Sequence, residues 1–236
     1  MSGGGHLLAS FLHFESLLKT IVSGQSARLG FTLAEVLVTL GIIGVVSAMT
    51  VPTLMQNYQK KSYVTQLHKV YNELQQSIVQ LMTDKNAVNL KEAGINSTAA
   101  AQNFIKSYFK IVSTCENSLK PCFADSYRIL DGNAYGIDGH INTSYVLASG
   151  ASIRPLYAVE GSAGKIVNIL VDVNGQQGPN ILGRDTFYIA IYNNGALDAY
   201  NASATSVPLT EAQRDAAGSE WGPFGKILND NWEMNY

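Results

Sequence analysis

The sequence is short of charge. Asp, Glu, Lys and Arg make up 14% of its 236 residues, against about 25% in an ordinary soluble domain. Its 16 basic and 18 acidic residues leave a formal net charge of −2, so there is no broad basic field to grip a phosphate backbone. Two cysteines are too few for a disulfide-framed fold. The four histidines, His6, His13, His68 and His140, are too scattered for their spacing to imply a metal cluster. A Walker loop, a dinucleotide-binding glycine fingerprint, an HExxH helix and a GxSxG elbow are all missing. Asp125, Asp131, Asp138 and His140 lie near turn residues without an acid–base or nucleophile pattern, so enzymatic activity is not expected. Function has to come from organisation.

What the sequence does have is one long apolar run. Phe31 to Val51 (FTLAEVLVTLGIIGVVSAMTV) contains a single ionisable residue, Glu35. As a helix it would reach about 31 Å, the hydrocarbon thickness of a bilayer. A buried core helix of that length would normally show a polar stripe, and only Thr32, Glu35, Thr39, Ser47 and Thr50 interrupt this one. The preceding residues do not read as a secretory signal. His13, Glu15 and Lys19 break their apolar stretch, and they end in Ser23-Gly24-Gln25-Ser26-Ala27-Arg28 instead of a small-residue cleavage site.

A polar, weakly basic segment ending in glycine, then Phe, then a carboxylate near the start of an apolar helix, is a specific arrangement. Through Gly30-Phe31-Thr32-Leu33-Ala34-Glu35, the run to Val51 and Pro52 beyond it, the sequence resembles the type IV pilin superfamily, which includes the pseudopilins of type II secretion. The resemblance covers about 50 residues. It implies a leader over residues 1–30, cut by a prepilin peptidase between Gly30 and Phe31, with the new Phe31 amine methylated. It also implies a single-pass inner-membrane protein with an extracytoplasmic head, and partners among other pilin or pseudopilin subunits and an assembly platform. Nucleic acid is then expected only if the filament is a DNA-uptake pilus. In such filaments Glu35 would face the terminal amine of a neighbouring subunit, offsetting the cost of an ionised carboxylate in hydrocarbon, at least ~2.5 kcal/mol. A purely local reading also stands, because Thr32 and Glu35 have capping-box spacing. The alternative function is a membrane-tethered extracytoplasmic enzyme or ligand-binding domain.

Two features sit awkwardly with that picture. Lys19 and Arg28 before the helix are outnumbered by Lys60, Lys61 and Lys69 after it, which by the positive-inside rule alone favours the opposite orientation. The leader is also long, with no Met between Met1 and Met49, and one hypothesis is a start at Val22 from a non-standard initiation codon, giving a leader of about nine residues.

Beyond Thr53, Leu67, Val70, Tyr71, Leu74, Ile78 and Leu81 recur at helical spacing. One nearly continuous helix is expected over 31–83, with Pro52, Gly41 and Gly44 as weak points. The head, 84–236, should begin with a second helix over 99–112. Strands are expected at 127–130 and 134–137 about an Asp131-Gly132-Asn133 turn, at 145–148, 165–173 and 187–192, and at 196–200 after an Asn-Gly turn whose two central residues need positive φ. The fold class is α+β, a long helix packed on a small antiparallel sheet. An oxidising compartment, which the resemblance implies, would pair Cys115 with Cys122 for ~2.5 kcal/mol, against the alternative of two buried thiols. In the loop from Asp172 to Asp185 oxygen donors alternate with turn residues. The calcium site of major pseudopilins makes Asp172, Asn174 and Asp185 candidate Ca2+ ligands, although the loop fails the EF-hand pattern and also reads as a plain Gly/Asn/Pro connector. Trp221 and Trp232 are expected to anchor the tail, and Asn96, Asn142 and Asn201 open weak glycosylation-like triplets.

Overall fold

The computed structural model describes residues 31–137, 142–216 and 223–236. The leader with Gly30, and Asp138, His140 and Trp221, lie outside the described residues. The chain divides into two compact units between Pro52 and Thr53.

The first unit is the opening half of helix α1 (Leu33–Asp84). Every residue from 31 to 52 is exposed, including Leu37, Val38, Leu40, Ile42 and Ile43. Such a surface is stable only in an apolar solvent or against other protein, and α1 is long and apolar enough to cross a membrane. Thr39 and Thr50 donate their hydroxyls to the carbonyls of Glu35 and Val46 one turn back, so the run's threonines satisfy themselves. Pro52 sits within α1 without ending it.

In the second unit α1 turns amphipathic. Val64, Leu67, Val70, Leu74, Ile78 and Leu81 are buried in one core with strand residues Ile153, Ile169, Val171, Phe187 and Ile189. Each such side chain contributes roughly 1.5–3 kcal/mol on burial. Helix α2 (Thr98–Tyr108) is capped by Ser97, whose hydroxyl accepts the Ala100 N–H at 3.2 Å. Six strands follow in one antiparallel sheet: β1 (Ile111–Cys115), β4 (Ser144–Leu147), β5 (Ser152–Glu160), β6 (Lys165–Asp172), β7 (Thr186–Tyr192) and β8 (Leu197–Asp198), in that order across it. A separate pair, β2 (Tyr127–Arg128) and β3 (Ala134–Tyr135), covers part of the opposite face. There Leu170, Phe123, Tyr127, Leu182 and the Cys115–Cys122 disulfide form a smaller second core.

The structure departs from the expected elements in several places, among them the tail, which forms two short helices, and the expected strands at 127–130, 134–137 and 196–200, which are two residues each. The second helix stops at Tyr108; Phe109 is extended, and the β-branched Ile111 and Val112 enter edge strand β1. Strand β5 was not expected, because Arg154 and Pro155 break its apolar pattern, yet both are buried beside β6. The β7–β8 connection is a three-residue Asn193-Asn194-Gly195 loop closed by the Tyr192 N–H on the Ala196 carbonyl at 2.9 Å, and Gly195 alone has positive φ (+86°). A Cβ on Gly195 would come within 3.1 Å of Ile78, so this turn is seated directly on α1.

The tail returns to the helix through α3 (Glu211–Asp215) and α4 (Phe224–Asn229). Phe224, Ile227 and Met234 join the main core, and Trp232 stacks on His68 of α1 at 4.1 Å between ring centroids. The crossing from β8 is tied by Asp198, 1% exposed, which takes a bidentate pair from Arg214 at 2.8 and 2.9 Å.

Candidate functional site

Two places carry the residues singled out by sequence. The first is the head of α1. Phe31 is exposed, and Thr32 caps the helix. Its hydroxyl accepts the Glu35 N–H at 3.2 Å, while its own N–H and hydroxyl both donate to Glu35 Oε2 at 2.8 Å. Within one chain, then, Glu35 completes a capping box and has no cationic partner among the described residues. A carboxylate so placed puts the one ionisable side chain of the apolar run at the opening of the helix.

The second is the β6–β7 loop. Asp172, Asn174 and Asp185 come together there, but the two carboxylates are fully buried rather than set out on an exposed loop. Asp172 Oδ2 accepts the Tyr127 hydroxyl at 2.6 Å and Oδ1 accepts the Asn174 N–H at 3.2 Å. Asp185 accepts the N–H groups of Asn180 and Ile181, both at 2.7 Å, and Asn174 donates its amide to the Gly178 carbonyl at 3.0 Å. Burial pushes the Asp172 carboxyl up to about 8, with the nearby Asp185 charge adding to the shift, and pushes Asp185 up as well. A calcium ion takes six to eight oxygens. Asp185 serves the loop's own amides and Asp172 serves both the loop and Tyr127 of β2, and no group of three or more His, Cys, Asp or Glu converges among the described residues. The Oδ1 atoms of Asn174 and Asn180 are buried beside these carboxylates without a hydrogen-bond partner among the described residues, so whether an ion completes the loop is a question for experiment.

A measurable consequence follows. Asp185→Ala strands two amides at ~1–3 kcal/mol each, so the detergent-solubilised protein should melt roughly 5–10 °C lower. The drop should be the same in millimolar calcium as in chelator. A wild-type melting point several degrees higher in calcium than in chelator would put an ion in the loop after all.

Nothing else among the described residues assembles a reaction centre. Cys115 and Cys122 are bonded to each other, with sulfurs 2.09 Å apart, and His68 is engaged with Trp232. A cleft of about 440 Å3 on the outer sheet face is walled by Tyr135, Arg154, Asn168 and Tyr188, but shows no nucleophile beside a base. Sequence reasoning missed the Tyr127–Asp172 and Arg214–Asp198 pairs. Their partners lie 45 and 16 residues apart, and no local pattern announces them.

The chain combines an α+β head with a helix long and apolar enough to cross a membrane, which opens on the capped carboxylate of Glu35. Residues 25–51 match the family described as the prokaryotic N-terminal methylation motif, and the chain thus carries the prepilin signature of type IV pilins and pseudopilins. No curated protein and no solved structure matches the chain.

Proposed function

We propose that this chain is a structural subunit of a type IV pilus or a type II secretion pseudopilus. In this reading a prepilin peptidase releases it between Gly30 and Phe31, and it assembles with like subunits on an inner-membrane platform through α1. The observation that carries the reading is the coincidence of the methylation motif with an apolar helix half whose residues 31–52 are all exposed among the described residues and whose first turn holds Glu35. The head lies on the extracytoplasmic side, where its disulfide is stable.

The test is at the cut. Wild-type protein from cells with the peptidase should begin at N-methylated Phe31. Gly30→Leu should accumulate as full-length precursor in the membrane fraction, because a large side chain blocks a site that takes glycine. Normal maturation of Gly30→Leu, or a mature terminus elsewhere, would overturn the reading.

A further inference from the structure

We propose that the cleft between the foot of α1 and the β6–β7 loop binds the phosphate of an anionic phospholipid headgroup, seating the unassembled head on the membrane. This rests on the membrane-anchored reading above. The cleft, about 320 Å3, is lined by Gln56, Lys60 and Tyr63 of α1 and by Pro179 and Arg184 of the loop, and no acidic residue among the described ones lines it. Arg184 is exposed and has no ion pair among the described residues. Lys60 gives one of its three donors to a main-chain oxygen of Tyr236 at 2.6 Å, which leaves two for a phosphate.

What lies along the helix points to lipid as the occupant. Past Pro52 the apolar character fades over two turns, with Leu54 71%, Met55 58% and Tyr58 74% exposed, before Lys60 and Lys61. Aromatic side chains at that level suit the interface, and lysines just beyond it reach back to the headgroups. Lys60 is nine residues beyond Val51, about 13 Å of helix. Its Cα–Cβ bond leans toward the helix N-terminus, the membrane side. A long cationic side chain pointing that way enters the headgroup layer, which adds roughly 5–7 Å to each side of the hydrocarbon. Arg184 brings a second cation to the same cleft from the head, and its planar fork can hold two phosphate oxygens. The lysines that sit on the unexpected side of the helix by the charge rule thereby acquire a purpose.

The experiment uses the full processed chain in nanodiscs of phosphatidylcholine with a minority of phosphatidylglycerol, and native mass spectrometry of the lipids it retains. Phosphatidylglycerol should be enriched over its bulk share. Arg184→Gln should lower that enrichment about fivefold, the factor for one cation at an anionic surface, and Arg184→Lys should keep most of it. Lipids retained at bulk composition, or equal enrichment in wild type and Arg184→Gln, would overturn the proposal. So would bulk-composition lipid together with cross-linking from position 184 to a second copy, which would assign the cleft to a subunit contact. Alkaline carbonate extraction separates the two levels: release of the chain from membranes sinks the anchored reading, whereas a retained chain without lipid enrichment sinks only this inference.

Discussion

Glu35→Gln should enter filaments at least tenfold less efficiently than wild type, and as poorly as Glu35→Val. The comparison is decisive because glutamine keeps what the structure shows and loses only what assembly requires. In the capping box a side-chain oxygen at position 35 receives the Thr32 N–H and hydroxyl, and a Gln oxygen serves that role as well as a carboxylate. What Gln lacks is the negative charge that would pair with a neighbour's terminal amine inside the hydrocarbon layer. There, leaving one charge of a pair unmatched costs several kcal/mol, ~3–5 by analogy with buried ion pairs. Both variants should insert into the membrane at least as well as wild type, since an expensive charge is gone. If Glu35→Gln assembles normally while Glu35→Val fails, Glu35 is a cap and no more.

The largest effect on the head is expected from Asp198→Ala. Asp198 Oδ1 accepts Arg214 Nε and the Ala199 N–H, and Oδ2 accepts Arg214 Nη2 and the Leu209 N–H, all within 2.8–2.9 Å. Truncation strands two buried amides and the guanidinium partner. Arg214 is 21% exposed and can turn partly to water, so the cost falls at the low end for a broken buried pair, about 3 kcal/mol, or roughly 6–12 °C in melting temperature. Because this carboxylate ties β8 to the returning tail, the segment from Leu209 onward should become sensitive to protease before the sheet does. Arg214→Met should cost less, since Asp198 keeps both backbone donors. An Asp198→Ala protein with wild-type melting and an uncleaved tail would show that Trp232 and the tail's apolar core residues hold it alone.

The parts of this protein legible from sequence are those whose cause is local or periodic. The apolar run from Phe31, the lone Glu35 within it and the stripe from Leu67 to Leu81 announce themselves because a helix brings every third or fourth residue to one face, and because hydrocarbon excludes charge over a fixed length. Strand β6 was equally plain as a β-branched run. Tertiary structure alone decided the rest. Pro155 and Arg154 joined a strand because β6 supplied a fully buried neighbour, which outweighed their poor propensity. The chain left the expected second helix because β4 offered an edge to Ile111 and Ser113, with Val112 between them at a bulge. In the loop from Asp172 to Asp185, the Asp185 carboxylate takes the Asn180 and Ile181 amides within the loop, but Asp172 is held by the Tyr127 hydroxyl, which comes from 45 residues away and which no local pattern announces. Spacing shows which groups can act as donors and acceptors, but which of them meet depends on contacts between residues far apart in the chain, and those exist only once the core has closed around them.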